Sequence, residues 1–391
     1  RSDFGLVSSF DMTLVRIETD NGMVGHGEAK ATVASAGDNQ ALALMIEREL
    51  GPMLIGQDFR DITRHWETMY SGVRAHYALE RGHVFPVLGR RGITISAISG
   101  IDIALWDLLG QSLDAPVWRL LGGRRHERMP AYASGGWAPA ETIGEQLQSY
   151  IDRGGFNAVK MRVGVADGEV RHSAERVRAA RAALGPEIDI MCDAHGTYGV
   201  AEAKRFCRMV EDCDIAWFEE PVTADDKRGL AEVRASTDIP IATGESESTR
   251  FAFRDIAELR AADIFQPDLA ICGGITEATR IAAIATAFQI RFAPHLWGGA
   301  VMFAAGLHVS AASPAAHILE YSLGANPLLF ELAEEKPTSV QGMVDIPDRP
   351  GLASLVLLPI AEQGIVVDMI IQNLGADGST DMTFTVPRKE V

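Results

Sequence analysis

Three carboxylates recur in the chain at one fixed interval, each at the end of a short apolar run. Asp193 closes Ile-Asp-Ile-Met-Cys-Asp, Glu219 sits in Ile-Ala-Trp-Phe-Glu-Glu-Pro, and Glu245 closes Ile-Pro-Ile-Ala-Thr-Gly-Glu. Positions 193, 219 and 245 are spaced 26 residues apart. The rhythm continues through Asp268, His295 and Glu320 in steps of 23, 27 and 25 residues. Three acids brought to one point repel one another unless a hard cation neutralises them, and an all-oxygen donor set suits Mg²⁺. Asp268 and His295 close neighbouring runs. An aspartate that accepts from one ring nitrogen sets the imidazole tautomer and raises its basicity, which makes a general base.

Such residues need elements that carry them to one place. A strand, a loop and a helix together take about this many residues in a (β/α) barrel, where strand C-termini converge on one mouth. After Met129 the pattern alternates strictly, with strand ends expected near Tyr132, Lys160, Asp193, Glu219, Glu245, Asp268, His295 and Glu320. Helical stretches such as Ala174–Ala183, Val200–Glu211 and Ile275–Ala287 lie between them. Eight strand ends favour a closed barrel over an open sheet. Before that point the order is different. A strand over 11–19, a turn at Asp20-Asn21-Gly22 and a second strand over 23–28 form a hairpin. Helices follow over 39–50, 58–71 and 94–110, the last ending at Gly110, and a short one precedes the Gly122-Gly123 break. The first ~125 residues therefore read as an α+β unit.

Bulk properties limit the partners. The chain has 391 residues, a formal charge of −17 and a pI near 5.0. That argues against nucleic acid or an anionic membrane, though a metal and a few cations can reverse the field locally. Cys192, Cys207, Cys213 and Cys272 lack metal-type spacing and read as reduced, buried thiols. No apolar run of the ~18 residues that span a membrane is expected, nor a signal peptide, so the expectation is a soluble cytoplasmic protein.

On these residues, the chain resembles the mandelate racemase subgroup of the enolase superfamily. The resemblance covers about residues 10–350. It is carried by the three carboxylates, Trp217-Phe218-Glu219-Glu220-Pro221, Thr243-Gly244-Glu245, Gln266-Pro267-Asp268, Pro294-His295 and the helix around Ile101–Trp106. It implies an α/β fold, a modified (β/α)₇β TIM barrel with an α+β capping domain. The domains expected are a cap over 1–125, lacking the family's N-terminal strand ahead of Arg1, a barrel over 126–330, and a return to the cap over 331–352. It implies Mg²⁺ held by Asp193, Glu219 and Glu245, and removal of the proton α to a carboxylate. In Glu-Glu-Pro runs the family uses the first Glu, which leaves Glu220 a supporting part. Relatives are commonly octamers or dimers, so a homo-oligomer is expected.

Two departures shape the expected chemistry. The subgroup has Lys-x-Lys where this chain has Lys160-Met161-Arg162. The second lysine is the base facing His295, and a guanidinium cannot take a proton. Two-base racemisation is thereby disfavoured. Arg162 is left to neutralise substrate oxygens or to pair with a metal ligand, and Lys160 to face the carboxylate. Asp193-Ala194-His195 resembles the Asp-x-His of sugar-acid dehydratases of the galactonate and mannonate types. His195 would protonate a departing β-hydroxyl, or else donate to a ligand. Glu320 is expected on the substrate-carboxylate side of the mouth, protonated and donating. His308 and His317 lack such partners and read as structural. The resulting expectation is a Mg²⁺-dependent dehydratase that turns a sugar acid into a 2-keto-3-deoxy acid. Gln266-Pro267-Asp268-Leu269 and Pro294-His295-Leu296-Trp297-Gly298 equally resemble sugar-lactone cycloisomerases, and a racemase or epimerase is a further alternative. A non-catalytic sugar-acid or amino-acid sensor is the alternative of a different class.

The family pattern stops near Leu352. Residues 353–391 read as an atypical tail, with a helix over Ala353–Gln363, a strand over Ile365–Gln372, a turn at 375–378 and a strand over Met382–Val386. The stretch 345–391 resembles half of an amino-acid-binding ACT module of aspartate kinases. Gly122-Gly123-Arg124-Arg125 lacks P-loop spacing and reads as a domain junction.

Overall fold

Gly22 takes a left-handed φ of +82°, which lets the chain reverse and lets its N–H reach the carbonyl of Thr19 at 2.9 Å. The hairpin so formed pairs β1 (Thr13–Glu18) with β2 (Val24–Ala29) in antiparallel register. The computed structural model describes residues 12–31, 39–72, 89–324, 326–330, 332–333, 336–352, 368–370, 373–374 and 380–381. After the hairpin come α1 (Gln40–Met45), which continues into a π turn over Ile46–Leu50, and α2 (Ile62–Ser71). Then comes the long α3 (Ile93–Ser112), followed by α4 (Val117–Leu120).

Glycines set how closely the hairpin lies on α3. A Cβ on Gly27 would overlap the carbonyl oxygen of Gly100, and one on Gly100 would press on Val15 and Ala29. Gly27→Ala is therefore expected to cost about 3 kcal/mol or more, because a backbone oxygen cannot swing aside as a side chain can. Urea unfolding of the two proteins would measure this; a loss under about 1 kcal/mol would show that the hairpin is free to lift. Gly110 serves the same purpose and does not cap the helix. The helix runs on to Ser112, and a Cβ on Gly110 would lie 2.5 Å from Gly351 Cα. Helix α3 also corrects the membrane expectation. By length and composition it could cross a membrane, but 78% of its apolar window is buried in the protein, so here it is a core helix.

The barrel follows. Its parallel strands are β3 (Arg128–Ser134), β4 (Ala158–Arg162), β5 (Asp189–Asp193), β6 (Ile215–Glu219), β7 (Ile241–Thr243), β8 (Ile264–Phe265), β9 (Arg291–Phe292) and β10 (Leu319–Ser322). Helices α5 (Ile143–Gly154), α6 (Val170–Leu184), α7 (Val200–Met209), α8 (Lys227–Arg234), α9 (Thr249–Glu258), α10 (Gly274–Ala287) and α11 (Ala300–Ala312) alternate with them. β3 through β9 pair in sequence order, and β10 pairs back onto β3. A Phe292–Ala316 bridge joins β9 to the segment before β10 and closes the ring. The result is the expected barrel with its cap. Strands β8 and β9 are only two residues long, so Asp268 and His295 sit beyond them, joined by a bridge of their own.

After α12 (Pro327–Phe330), β11 (Ser339–Val340) pairs antiparallel with β12 (Met343–Asp345), which pairs antiparallel with β3. The chain then returns to the first unit, where the Val117 N–H meets the Gly351 carbonyl at 3.0 Å. Of the tail, β13 (Asp368–Ile370) pairs parallel to β1, and β14 (Asn373–Leu374) pairs with β15 (Thr380–Asp381). The helix expected over Ala353–Gln363, the turn at 375–378 and the strand over Met382–Val386 lie outside the described residues. All four cysteines are free and buried.

Candidate active site

The site is a polar layer on an apolar floor, and the strand period of two creates both. Tyr132, Ala158, Met191, Trp217, Ala242, Ile264 and Ala293 fill the barrel as one buried cluster. Two residues further along the same strands, on the same inward face, stand Ser134, Lys160, Asp193, Glu219 and Gln266. Glu320 follows Ile318 of the floor in the same way.

Lys160 stands at the centre of this layer. Its ammonium lies 2.6 Å from Glu219 Oε1, 3.0 Å from Glu320 Oε1 and 3.5 Å from Asp193 Oδ2, above the face of Tyr132. Burial alone would pull the Lys160 pKa down, but Glu219 and Glu320 hold it above the ordinary lysine range. The effect is reciprocal. Burial pushes the Glu219 carboxyl up, yet Lys160 keeps it below its usual value. Glu320 is likewise driven up by burial and brought far below the carboxylate range by Lys160 and His295. Against the expectation of a protonated, donating Glu320, these neighbours favour its carboxylate form, and its Oε2 accepts the Leu296 N–H at 2.9 Å.

His295 and Asp268 meet as expected. The ring Nδ1 lies 2.7 Å from Asp268 Oδ2, leaving Nε2 toward the mouth, 3.5 Å from Glu245 Oε2 and 3.9 Å from Glu320 Oε2. Burial lowers the His295 pKa, but Glu245, Glu320 and Asp268 together raise it above the ordinary value. Asp268 is pushed up by burial and held low by Lys30 and His295.

The expected metal ligands are brought together only in part. Asp193 and Glu245 present oxygens that lie, with a ring nitrogen of His195, within 4.8 Å of one another. Glu219 faces the other way, toward Lys160, Gln266 Nε2 at 2.8 Å and Trp217 Nε1 at 3.1 Å. Two observations fit a cation here. Glu245 Oε2 and Glu220 Oε1 are buried and accept no hydrogen bond, an arrangement that is costly for a carboxylate. Glu220 is pushed well above the carboxylate range by burial and then by Glu245 and Glu219. A divalent ion at Asp193 and Glu245 would relieve this crowding. The convergent donors are two carboxylate oxygens and one imidazole nitrogen, a set that could hold a metal ion.

His195 points into the same mouth, with Nε2 3.5 Å from Asp193 Oδ2 and 4.0 Å from Glu245 Oε1. The backbone there is strained. His195 has φ +46° and Glu220 φ +39°, left-handed values that side chains other than Gly and Asn resist. The two strained residues meet through the loops, as the Gly196 N–H donates to the Glu220 carbonyl at 2.7 Å. Arg162 is ion-paired to Asp193 and lies over the Trp137 ring at 5.9 Å. Of the two parts expected of Arg162, the structure shows the ion pair with Asp193. His308 is structural, accepting the Trp118 N–H at Nδ1 and held near pKa 4 by burial.

Two buried charges were not singled out from the sequence. Lys30 reaches Asp268 Oδ2 at 2.5 Å, and Glu28 accepts from Gly299 and Met302. The sequence signal is a pair of charges spaced two apart, Glu28 in the last pleat of β2 and Lys30 just after it.

Residues 142–355 match the enolase C-terminal domain-like family, and residues 3–122 match the mandelate racemase / muconate lactonizing enzyme N-terminal domain. The chain is 35% identical over 351 residues to D-galactarolactone cycloisomerase of Agrobacterium fabrum, covering 87% of each. It is 36% identical over 317 residues to D-galactonate dehydratase of Ralstonia nicotianae, covering 79% of this chain and 78% of that one. The crystal structure of the 3,6-anhydro-D-galactonate cycloisomerase from Zobellia galactanivorans superposes with a TM-score of 0.76 at 31% identity, over 87% of this chain and 90% of that one.

Proposed function

The chain belongs to the mandelate racemase and muconate lactonizing enzyme family of the enolase superfamily, and from that premise we propose that it removes the α-proton of a sugar-acid carboxylate and eliminates water. The observation that carries the dehydratase reading is the pair of imidazoles at one carboxylate. His295 Nε2 and His195 Nε2 approach the two oxygens of Glu245 at 3.5 and 4.0 Å. One imidazole can take the α-proton while the other gives a proton to the β-hydroxyl that leaves.

In this reading Asp193, Glu219 and Glu245 hold Mg²⁺, with Glu220 behind them. The ion, when bound, stabilises the negative charge that builds on the substrate carboxylate as the α-proton departs. His295 is the base, and Asp268 keeps its Nδ1 protonated so that Nε2 is free to accept. Lys160 and Arg162 supply positive charge beside the carboxylate oxygens. Glu320 accepts the Leu296 N–H and so holds the loop after His295. Loss of the β-hydroxyl as water leaves an enol, which tautomerises to a 2-keto-3-deoxy acid. Residues 1–125 serve as the cap that selects the substrate, 126–330 as the barrel and 331–352 as the return. A cytoplasmic homo-oligomer, dimer or octamer, completes the proposal.

A second reading has support of its own. The relative from Agrobacterium fabrum is named a cycloisomerase, and its 35% identity lies within the 33–37% range of the dehydratases. The same α-proton is then removed, but a ring oxygen leaves instead of water. One experiment separates the readings. The Mg²⁺-loaded protein is incubated in D₂O with aldonic acids, aldaric acids and their lactones. A product that has lost water, reacts with semicarbazide and carries deuterium at the carbon that bore the departing hydroxyl supports dehydration. Deuterium with lactone opening and no water lost supports cycloisomerisation. Absence of deuterium from every compound would end both readings.

A further inference from the structure

The end of β2 reaches from the hairpin into the barrel mouth. Glu28 and Lys30 lie two apart and are 0% and 2% exposed. A lysine so buried needs partners to offset its lost hydration. Lys30 Nζ donates to Asp268 Oδ2 at 2.5 Å and to the Trp297 carbonyl at 2.8 Å. Asp268 Oδ2 is the oxygen that also meets His295 Nδ1, while Oδ1 accepts the Ala270 N–H at 2.8 Å. The Asp268 carboxylate is thus held at three points. The Lys30 backbone N–H adds a bond to the Ala270 carbonyl at 3.3 Å. Glu28 secures the far end of the next loop. Its two oxygens accept the N–H groups of Gly299 at 2.7 Å and Met302 at 2.9 Å, at the start of α11. That helix end favours a carboxylate. A Cβ on Gly298 or Gly299 would come within 2.9 or 2.8 Å of the Glu28 carboxylate, so this close approach depends on glycine.

We propose that Glu28 and Lys30 form a clasp that orients the His295–Asp268 pair, with Lys30 as the positioning residue for the base. Two loops of the barrel carry the pair, and the clasp grips both from a strand outside the barrel. The geometry of the base is therefore set by hairpin docking as well as by the barrel strands. Lys30 touches neither substrate nor the transferred proton; it acts through Asp268. The inference rests on the reading of His295 as the base.

The test uses the full chain, Mg²⁺-loaded, with any acid whose α-proton the unaltered protein exchanges. Lys30→Met keeps the shape and removes the charge. It is expected to lower kcat for exchange about 30-fold or more with KM within threefold. Lys30→Ala leaves a space, and methylammonium is expected to restore at least tenfold of the lost rate there. The Met variant should show no such rescue. In ¹⁵N-histidine spectra the protonated Nδ1 signal of His295 should shift or broaden in Lys30→Met. That last readout needs no substrate. Exchange in Lys30→Met within threefold of the unaltered protein overturns the clasp and leaves the base reading standing. A lost rate with no amine rescue and an unchanged His295 signal also overturns it. If the unaltered protein exchanges nothing while the His295 signal responds to Lys30→Met, the clasp stands and the base reading falls. If Lys30→Ala does not fold, the spectra and the kcat and KM of Lys30→Met decide alone.

Discussion

Replacing His295 with asparagine is expected to lower α-proton exchange by about 10²–10⁴-fold, the range seen when a general base is lost. Asparagine retains a hydrogen-bonding group beside Asp268 Oδ2 but has no group that takes a proton near neutral pH. The fold and the cation site should be unaffected, because none of the proposed Mg²⁺ ligands is removed. The check is ¹H NMR of the α-proton in D₂O, with Mg²⁺ binding followed by calorimetry on the same sample. Exchange retained within threefold would remove His295 as the base. The opposite face would not supply a substitute, because Arg162 stands where a second lysine would be and is ion-paired to Asp193. The same variant therefore also bears on racemisation: a residual rate that inverts the α-carbon would point to a base not identified here.

Two variants are expected to decide whether Glu219 or His195 completes the proposed cation site with Asp193 and Glu245. Removal of the cation with EDTA should abolish exchange, and Mg²⁺ should restore it. Glu219→Gln should then raise the Mg²⁺ requirement by about 100-fold or more, since substitution even outside the ligand set costs 10–100-fold in metal affinity. His195→Asn should leave the Mg²⁺ requirement within about threefold while slowing water loss by about 10²–10⁴-fold. Slow water loss with intact α-proton exchange would be the clearest sign that His195 serves the leaving group. The structure gives the alternative a definite form. Asp193, His195 and Glu245 converge, whereas Glu219 is engaged by Lys160, Gln266 and Trp217. If His195→Asn weakens Mg²⁺ as much as Glu219→Gln does, the ligand set includes the imidazole and His195 is not the acid.

Both results bear on the crowding of charge at the mouth. Glu219, Glu220 and Glu245 are all buried and lie near one another. Lys160 neutralises Glu219 and Glu320, and Arg162 neutralises Asp193. Glu220 Oε1 and Glu245 Oε2 accept no hydrogen bond. That imbalance is the physical reason to expect a cation on the Glu245 side of the site rather than beneath Lys160.

The sequence by itself determined the barrel and its order of strands. The alternation of short apolar runs with helical stretches leaves little else for eight repeats to form, and the strand period of two places Lys160, Asp193, Glu219 and Glu320 on the inward face above the floor. It also brought Asp268 to His295, because adjacent strand ends are adjacent in space. Contacts that depend on where loops bend and how far apart elements pack were decided only by the tertiary structure. Gly110 read as a helix stop, yet it is a glycine because Gly351 crosses there. Glu320 read as a proton donor, yet Lys160 and His295 beside it favour its carboxylate form. Glu219 read as an equal third ligand, yet its carboxylate turns to Lys160. Lys30 and Glu28 belong to the hairpin, 238 residues from Asp268 and 271 from Gly299 along the chain. Their role arises only when the cap docks on the barrel. A repeat is written locally and can be counted along the chain, whereas the charge state of a buried group depends on every neighbour that folding brings within a few ångströms.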